Sequence, residues 1–219
     1  MIFLRIIQEK LSVLLFFLVS LFFLMPALQD IHPIIPISPF IFFVILVLSL
    51  RVGSLRMKIF WQSIVLVVIG FFFDLILAFT TAPLFEKVLT ICVHEIYILF
   101  LTFCIGMIMK KLMNEEDSVI NIVKSGICGY LLIGLLWAVI YSFVYWINRI
   151  NFSTYELGQI PFFYFSYSVL TSLKFSGVFP VTTWAISLAY LEVIFGQMFI
   201  VVFIARMAAV FVKKQNLFR

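Results

Sequence analysis

Long apolar runs separated by short polar breaks are the dominant pattern of this chain. A helix needs about 20 residues to cross the hydrocarbon core of a membrane, and several runs reach or approach that length. They lie at residues 11–28, 37–50, 60–79, 88–109, 125–147 and 183–212. The run at 37–50 is short, so its helix either tilts little or extends back through Pro36. The pattern predicts an all-α membrane protein with six transmembrane helices.

A further apolar run, at residues 161–173, is too short to cross the membrane. It starts at Pro161, a residue that favours the first position of a helix, and the break Lys174-Phe175-Ser176-Gly177-Val178-Phe179-Pro180 follows it. A short helix, a turn containing Ser and Gly, and a full-length helix are the pattern of a re-entrant pore loop. Non-helical backbone is stable at membrane depth only if protein buries it or it lines a watery cavity. This stretch therefore predicts a polar path through the membrane, shared by several copies of the chain.

Basic residues flank the apolar runs mostly on one predicted side of the membrane. If both termini are cytoplasmic, the outer side holds Lys87, Arg149 and Lys174, and most of the other basic residues lie inside. Because cytoplasmic loops carry the excess of Lys and Arg, this asymmetry predicts cytoplasmic N- and C-termini. The pore loop then enters the membrane from the outer side.

The composition agrees with a membrane location. The chain is 65% hydrophobic and 11% charged, which excludes an ordinary soluble domain. The net charge of +5 does not indicate a nucleic-acid partner, because the basic residues lie at the ends of apolar runs. Cys92, Cys104 and Cys128 lie within apolar runs and indicate reduced, buried thiols rather than a metal site.

The C-terminal part of the chain carries a series of short motifs in a fixed order. They are Tyr164-Phe165-Ser166-Tyr167, Leu170-Thr171-Ser172-Leu173, Pro180-Val181-Thr182, Ser187-Leu188-Ala189-Tyr190-Leu191-Glu192, Gly196-Gln197-Met198 and Ile204-Ala205-Arg206. These motifs resemble the two-helix pore domain of the potassium-channel superfamily, and in particular its six-helix bacterial members. The resemblance implies a homotetramer in the bacterial inner (plasma) membrane. It also implies that each chain contributes a pore helix, a filter loop and an inner helix around one axis.

The filter positions depart from the family pattern, which reads Thr-x-Gly-Tyr-Gly-Asp. The matching residues here are Ser172-Leu173-Lys174-Phe175-Ser176-Gly177, preceded by Thr171. A filter of backbone carbonyls needs left-handed backbone angles, which glycine adopts freely. A residue with a β-carbon costs about 1–2 kcal/mol at each such position, so Lys174 and Ser176 disfavour a standard potassium filter. Phe175 keeps the ring of the filter tyrosine and is expected to pack behind the loop.

Lys174 leaves several outcomes open. Ammonium groups of four copies around one axis would repel one another, by about 2 kcal/mol per pair at a separation of roughly 7 Å. The pore would then tolerate anions, conduct cations with weak selectivity or gating, or not conduct. The alternative is that Lys174 extends outward into the extracellular water, since lysine readily places its charged end in solvent.

Several other residues of the pore stretch are candidates for specific roles. Thr171 and Ser172 either line the inner mouth of the filter or cap the pore helix. Gly196 either bends the inner helix, as the resemblance implies, or allows close helix packing. Glu192 needs a buried partner, and Lys174 of the same or a neighbouring chain would let it support the filter. A predicted apolar constriction, which would gate by dewetting, lies on about the same helical face as Gly196 and consists of Ile200, Phe203 and Met207.

Ionisable residues also lie inside the third and fourth apolar runs. Asp74, His94 and Glu95 fall at similar predicted depth near the outer ends of these runs, at 1.5 Å of rise per residue. Intramembrane ionisable groups are candidates for function, so the three could form a proton- or cation-sensing cluster in which His94 titrates near neutrality. The alternative is structural: Asp74 and His94 pair and hold two helices together. The fourth run lacks regularly spaced Arg or Lys, which argues against voltage sensing.

These observations predict three units. Residues 1–114 form a peripheral four-helix membrane unit without gating charges, 115–124 a cytoplasmic linker, and 125–219 the pore unit. The predicted function is passive ion permeation with altered or lost potassium selectivity. The alternative is a non-conducting membrane scaffold or adaptor that retains the channel fold. Permeant ions, the lipid bilayer and further copies of the chain are the expected partners; no nucleic acid, cofactor, metal or enzymatic activity is expected.

Overall fold

The protein is mostly helical. The structure is a computed structural model that describes residues 2–29, 57–79, 83–113, 118–154, 160–173 and 177–217. Within these ranges the helices are α1 (Ile2–Gln29), α2 (Met57–Phe79), α3 (Pro83–Leu112), α4 (Val119–Ile147), α5 (Ile160–Leu170) and α6 (Thr183–Leu217). A 3-10 turn at Arg149–Asn151 and two short strands, β1 (Phe152–Thr154) and β2 (Val178–Pro180), complete the described elements.

Three of the described helices contain stretches long and apolar enough to cross a membrane. These stretches are Lys87–Leu112 in α3, Val119–Ile147 in α4 and Thr183–Val212 in α6. Shorter apolar stretches lie in α1 and α2. The prediction of a mostly helical chain is therefore confirmed for the described residues, and the three long apolar helices are compatible with an all-α membrane protein. The predicted span at 37–50 lies outside the described residues, and the number of six spans stays a prediction.

The start of α4 differs from the prediction. The helix begins at Val119 rather than at residue 125, inside the predicted linker at 115–124. Ser118 precedes it in extended conformation, and its side chain accepts a hydrogen bond from the backbone N–H of Asn121 at 3.3 Å, which is the geometry of an N-cap. The polar residues Asn121 and Lys124 end the apolar run but not the helix. Residues 115–117 lie outside the described residues.

A two-stranded antiparallel sheet interrupts the otherwise helical fold, which the all-α prediction did not include. Phe152 pairs with Pro180, Ser153 with Phe179, and Thr154 with Val178. Each strand has three residues, too few for the alternating pattern that identifies a strand in a sequence. The sheet joins the chain just after α4 to the chain just before α6.

Helix α4 is the centre of the described helices. It packs against α1, α3, α5 and α6, whereas α2 packs against α3. Two of its glycines lie directly under aromatic rings. A Cβ atom on Gly134 would lie 2.5 Å from Cε1 of Tyr167 in α5, and one on Gly126 would lie 2.2 Å from Cε2 of Phe203 in α6. Both distances are too short for carbon atoms, so glycine is required for α5 and α6 to approach α4 this closely.

We expect Gly134→Ala to destabilise the protein by about 1–3 kcal/mol, because the added methyl group displaces the Tyr167 ring from a packed interface. The measurement is the thermal melting temperature of the purified protein in detergent. Gly106→Ala in α3 is the matched control, because a Cβ atom there meets nothing within 4 Å. The control should melt at an equal or higher temperature, since alanine is the better helix former by about 1 kcal/mol. Equal melting of the two variants would contradict the close approach of α5 to α4.

Candidate functional site: the short helix, its loop and the buried carboxyl group

The segment that contains the short helix α5 and its loop begins and ends at the same two-stranded sheet. Strand β1 lies before α5 and strand β2 lies after the loop, and the two strands are hydrogen-bonded to each other. The segment between them therefore leaves the sheet and returns to it. The pairing places the start of α6 beside the end of α4. That the segment is re-entrant in a membrane stays a prediction.

Asn151 connects the elements at the end of this segment. Its side-chain amide donates to the carbonyl of Val144 near the end of α4 at 3.2 Å, and its side-chain oxygen accepts from the hydroxyl of Thr182 at 2.8 Å. Its backbone carbonyl accepts from the N–H of Val181 at 2.9 Å. Thr182 also caps α6, because its hydroxyl oxygen accepts from the N–H of Ala185 at 3.3 Å. One asparagine thus connects α4, the sheet and the first turn of α6.

Side-chain hydroxyl groups fix α5 against α4. Tyr167 of α5 donates to the carbonyl of Leu131 at 2.6 Å. In the opposite direction, Tyr130 of α4 donates at 3.1 Å to the carbonyl of Leu170, the last residue of α5. That carbonyl has no partner within its own helix, because the last turn of a helix leaves its carbonyls unpaired. The two tyrosines therefore determine the position of the C-terminal end of α5, where the predicted filter begins.

The C-terminal end of α5 is capped by the residues predicted to begin the filter. The N–H of Leu173 donates to the carbonyl of Ser168 at 2.8 Å, and the N–H of Ser172 to that of Val169 at 3.0 Å. This pair of bonds is a Schellman motif, which needs a left-handed residue after the helix, and Ser172 supplies it with φ of 59°. The Thr171 hydroxyl donates to the carbonyl of Tyr167 at 2.6 Å.

The capping interpretation of Thr171 and Ser172 thus has direct support in the described contacts. Both side chains, and that of Leu173, are exposed in the single chain, as is Gly177. Lining of an ion path by these residues stays a prediction. The predicted filter residues Lys174, Phe175 and Ser176 lie outside the described residues.

Glu192 is fully buried where α4, α5 and α6 meet. Tyr141 of α4 donates to one carboxyl oxygen, Oε2, at 2.6 Å. The hydroxyl of Ser166 in α5 lies 2.5 Å from the other oxygen, Oε1, and 2.7 Å from the carbonyl oxygen of Gly134. Support of the filter, the role predicted for Glu192, stays a prediction. The predicted partner Lys174 lies outside the described residues, and both oxygens of the carboxyl group already have partners.

Gly196 faces the end of α5. A Cβ atom at this position would lie 2.6 Å from Cδ1 of Leu170, and α6 continues as a helix through it from Thr183 to Leu217. The structure therefore gives Gly196 the close-packing role that was one of its two predicted roles. The predicted bending of the inner helix at this residue stays a prediction.

The side chains of the predicted constriction mostly face the other helices of the same chain. The ring of Phe203 covers Gly126 of the same chain. Met207 and Phe203 pack on a buried cluster that includes Ile122 near the start of α4, while Ile200 is 40% exposed. Arg206 fixes this end further, because its Nε donates at 3.2 Å to the carbonyl of Leu112. These residues would close an ion path only if that face of α6 turned toward the axis.

The structure gives Asp74 and His94 separate partners. Asp74 of α2 accepts a hydrogen bond from the hydroxyl of Tyr97 in α3. Nδ1 of His94 lies 2.8 Å from the carbonyl oxygen of Thr90, so this nitrogen carries the hydrogen, and Nε2 lies 3.1 Å from the hydroxyl of Ser142 in α4.

The predicted cluster of Asp74, His94 and Glu95 is therefore not assembled, and the predicted Asp74–His94 pair is wrong. Glu95 is exposed. Similar depth on neighbouring helices does not decide which side chains face each other. The hydroxyl partners of these buried groups were not among the predicted site residues: Tyr97, Tyr141, Ser142 and Ser166. The sequence signal for them is that a buried ionisable group needs polar partners from other helices.

Substitution of Ser172 tests the left-handed cap. Ser172→Gly should melt at an equal or higher temperature than the wild type, because glycine adopts this conformation without strain. Ser172→Val should lower the free energy of unfolding by about 1–2 kcal/mol or more, since the left-handed conformation is costly for a β-carbon and most of all for a branched one. Thermal melting in detergent measures both effects, and equal melting of the two variants would argue against the cap.

Comparisons with protein-family models, with curated proteins and with solved structures find no match to this chain. The assignment of a function to the protein therefore rests on its own residues and contacts.

Proposed function

We propose that four copies of this chain form an ion channel in a membrane, with α5, its loop and α6 of each copy around a common axis. Each chain crosses the membrane six times and has both termini in the cytoplasm. Ions pass passively along the axis, and the residues at the filter positions alter or abolish potassium selectivity. The resemblance to the pore domain of the potassium-channel superfamily, in the sequence alone, supports the same arrangement.

The observation that carries this proposal is the short helix between two paired strands. Helix α5 has 11 residues, which corresponds to a length of about 16 Å at 1.5 Å per residue against a hydrocarbon core of about 30 Å. A helix of this length reaches only part of the way through the core. Because β1 and β2 pair, the chain must return to the side from which it entered. The loop at its end is then stable at depth only beside water or other protein.

The surface of α6 supports an assembly of several copies. Only 17% of its candidate span is buried within the single chain, compared with 44% for the span in α3 and 50% for that in α4. Gln197, in the middle of α6, is exposed. An amide group facing hydrocarbon is costly, whereas water in a pore or a polar group of a neighbouring chain would satisfy it. Neighbouring copies therefore explain both the exposed surface and the polar residue.

Recording from purified protein in a planar bilayer under a KCl gradient tests the proposal. We expect discrete single-channel currents, and the sign of the reversal potential separates cation from anion selectivity. Native mass measurement should give four times the mass of the 25.4-kDa chain. A monomeric particle would contradict the proposed assembly. A tetramer without current would favour the alternative function, a non-conducting scaffold or adaptor.

The charge at residue 174 should affect selectivity if its side chain faces the axis. Lys174→Gln removes one positive charge per copy, so we expect the reversal potential to shift toward that of a cation-selective pore. Lys87→Gln is the matched control, because Lys87 is another basic residue predicted on the outer side and is exposed near the start of α3. Equal reversal potentials in the wild type and both variants would place the Lys174 side chain away from the ion path.

A further inference from the structure

The hydroxyl groups around Glu192 have too few hydrogen atoms for all of the short oxygen–oxygen contacts if the carboxyl group is ionised. Its side chain has no exposed surface. The elements packed around it, α4 and α5, present Tyr130, Tyr141 and Tyr167 as the nearby titratable groups. Tyr141 donates its only hydroxyl hydrogen to Oε2. The neighbour of the other oxygen, Oε1, is the hydroxyl group of Ser166.

Ser166 has one hydroxyl hydrogen and two close oxygen neighbours. Its Oγ lies 2.7 Å from the carbonyl oxygen of Gly134 and 2.5 Å from Oε1 of Glu192. A carbonyl oxygen can only accept, and so can both oxygens of an ionised carboxylate. With Glu192 ionised, one of these two contacts would bring two oxygen atoms together with no hydrogen between them. With a proton on Oε1, each contact contains one hydrogen: Glu192 donates to Ser166, and Ser166 donates to Gly134.

We propose that Glu192 is a neutral carboxylic acid and that its own proton forms the link from α6 to α5. The resulting chain of donors runs from Glu192 to Ser166 and on to the Gly134 carbonyl, while Tyr141 donates to Oε2. A neutral group also avoids the large cost of a buried charge in a membrane. Glu192 is thus a positioning residue: it ties the inner helix to the short helix that carries the loop, and it places no fixed negative charge behind that loop.

This inference deepens the proposed function, since α5 is the pore helix only if the channel assignment holds. The hydrogen-bond arrangement itself does not depend on conduction. Infrared spectroscopy and thermal melting therefore test it separately from any current. Loss of the channel function would leave these two measurements unchanged.

Infrared difference spectra between the wild type and its variants, each reconstituted at neutral pH, test the protonation of Glu192 directly. The wild type should show the C=O stretching band of a protonated carboxyl group, shifted on exchange into D2O. Glu192→Gln should lose this band, and the matched control Glu95→Gln should keep it, because Glu95 is an exposed glutamate of α3. Ser166→Ala should move the band to higher frequency, because the acid proton loses its acceptor. Absence of the band, or a band that Glu192→Gln leaves intact, would overturn the proposal.

Melting temperatures in detergent give a second, independent result. Gln can reproduce the bonds of a neutral acid, because its NH2 group donates to Ser166 and its oxygen accepts from Tyr141. Glu192→Gln should therefore melt within about 2 °C of the wild type, and Glu192→Met, which bonds to neither hydroxyl, at least about 4 °C lower. If Glu192→Met does not fold, the comparison of Glu192→Gln with the wild type still decides. A Gln variant that melts as low as the Met variant, or that does not fold, would overturn the proposal.

Discussion

The position of the short helix α5 depends on one constraint: polar groups within a membrane protein must find their partners inside the protein. Carbonyls in its last turn accept hydrogen bonds from the N–H groups of Ser172 and Leu173 and from the hydroxyl of Tyr130. Its buried hydroxyl groups at Ser166 and Tyr167 donate hydrogen bonds to backbone carbonyls of α4. Since each of these bonds is directional, they fix rotation as well as location. Apolar contacts alone would leave a short helix free to slide in a lipid-like interior.

The small residues of α4 make those polar bonds possible. The carbonyl of Gly134 accepts from Ser166, and the absent side chain of the same residue leaves space for the ring of Tyr167. One glycine therefore serves both the hydrogen bond and the packing. The same helix accommodates Phe203 of α6 over Gly126. The packing of α4 thus positions both helices that are proposed to surround the ion path.

The sequence predicted the three long apolar helices of the described residues well and their side-chain contacts poorly, for a physical reason in each case. Apolar runs identify a membrane helix because its length and composition must match the bilayer, and α3, α4 and α6 follow that rule. Side-chain pairing depends on rotation about the helix axis, which a uniformly apolar helix does not reveal. Asp74 therefore pairs with Tyr97 and not with His94. The start of α4 at Val119 and the short sheet depend on a cap and on six residues, signals too local for periodicity to detect.

The contacts of Asn151 have a consequence for the choice of expression host. Asn151-Phe152-Ser153 matches the acceptor sequence for N-linked glycosylation, and a glycan would be attached to the amide nitrogen that donates to Val144. Attachment would replace a hydrogen of this amide and place a bulky sugar between α4 and the first turn of α6. Glycosylation during synthesis in a eukaryotic secretory pathway would therefore compete with the packing of α4 against the start of α6. Bacterial or cell-free synthesis avoids this competition.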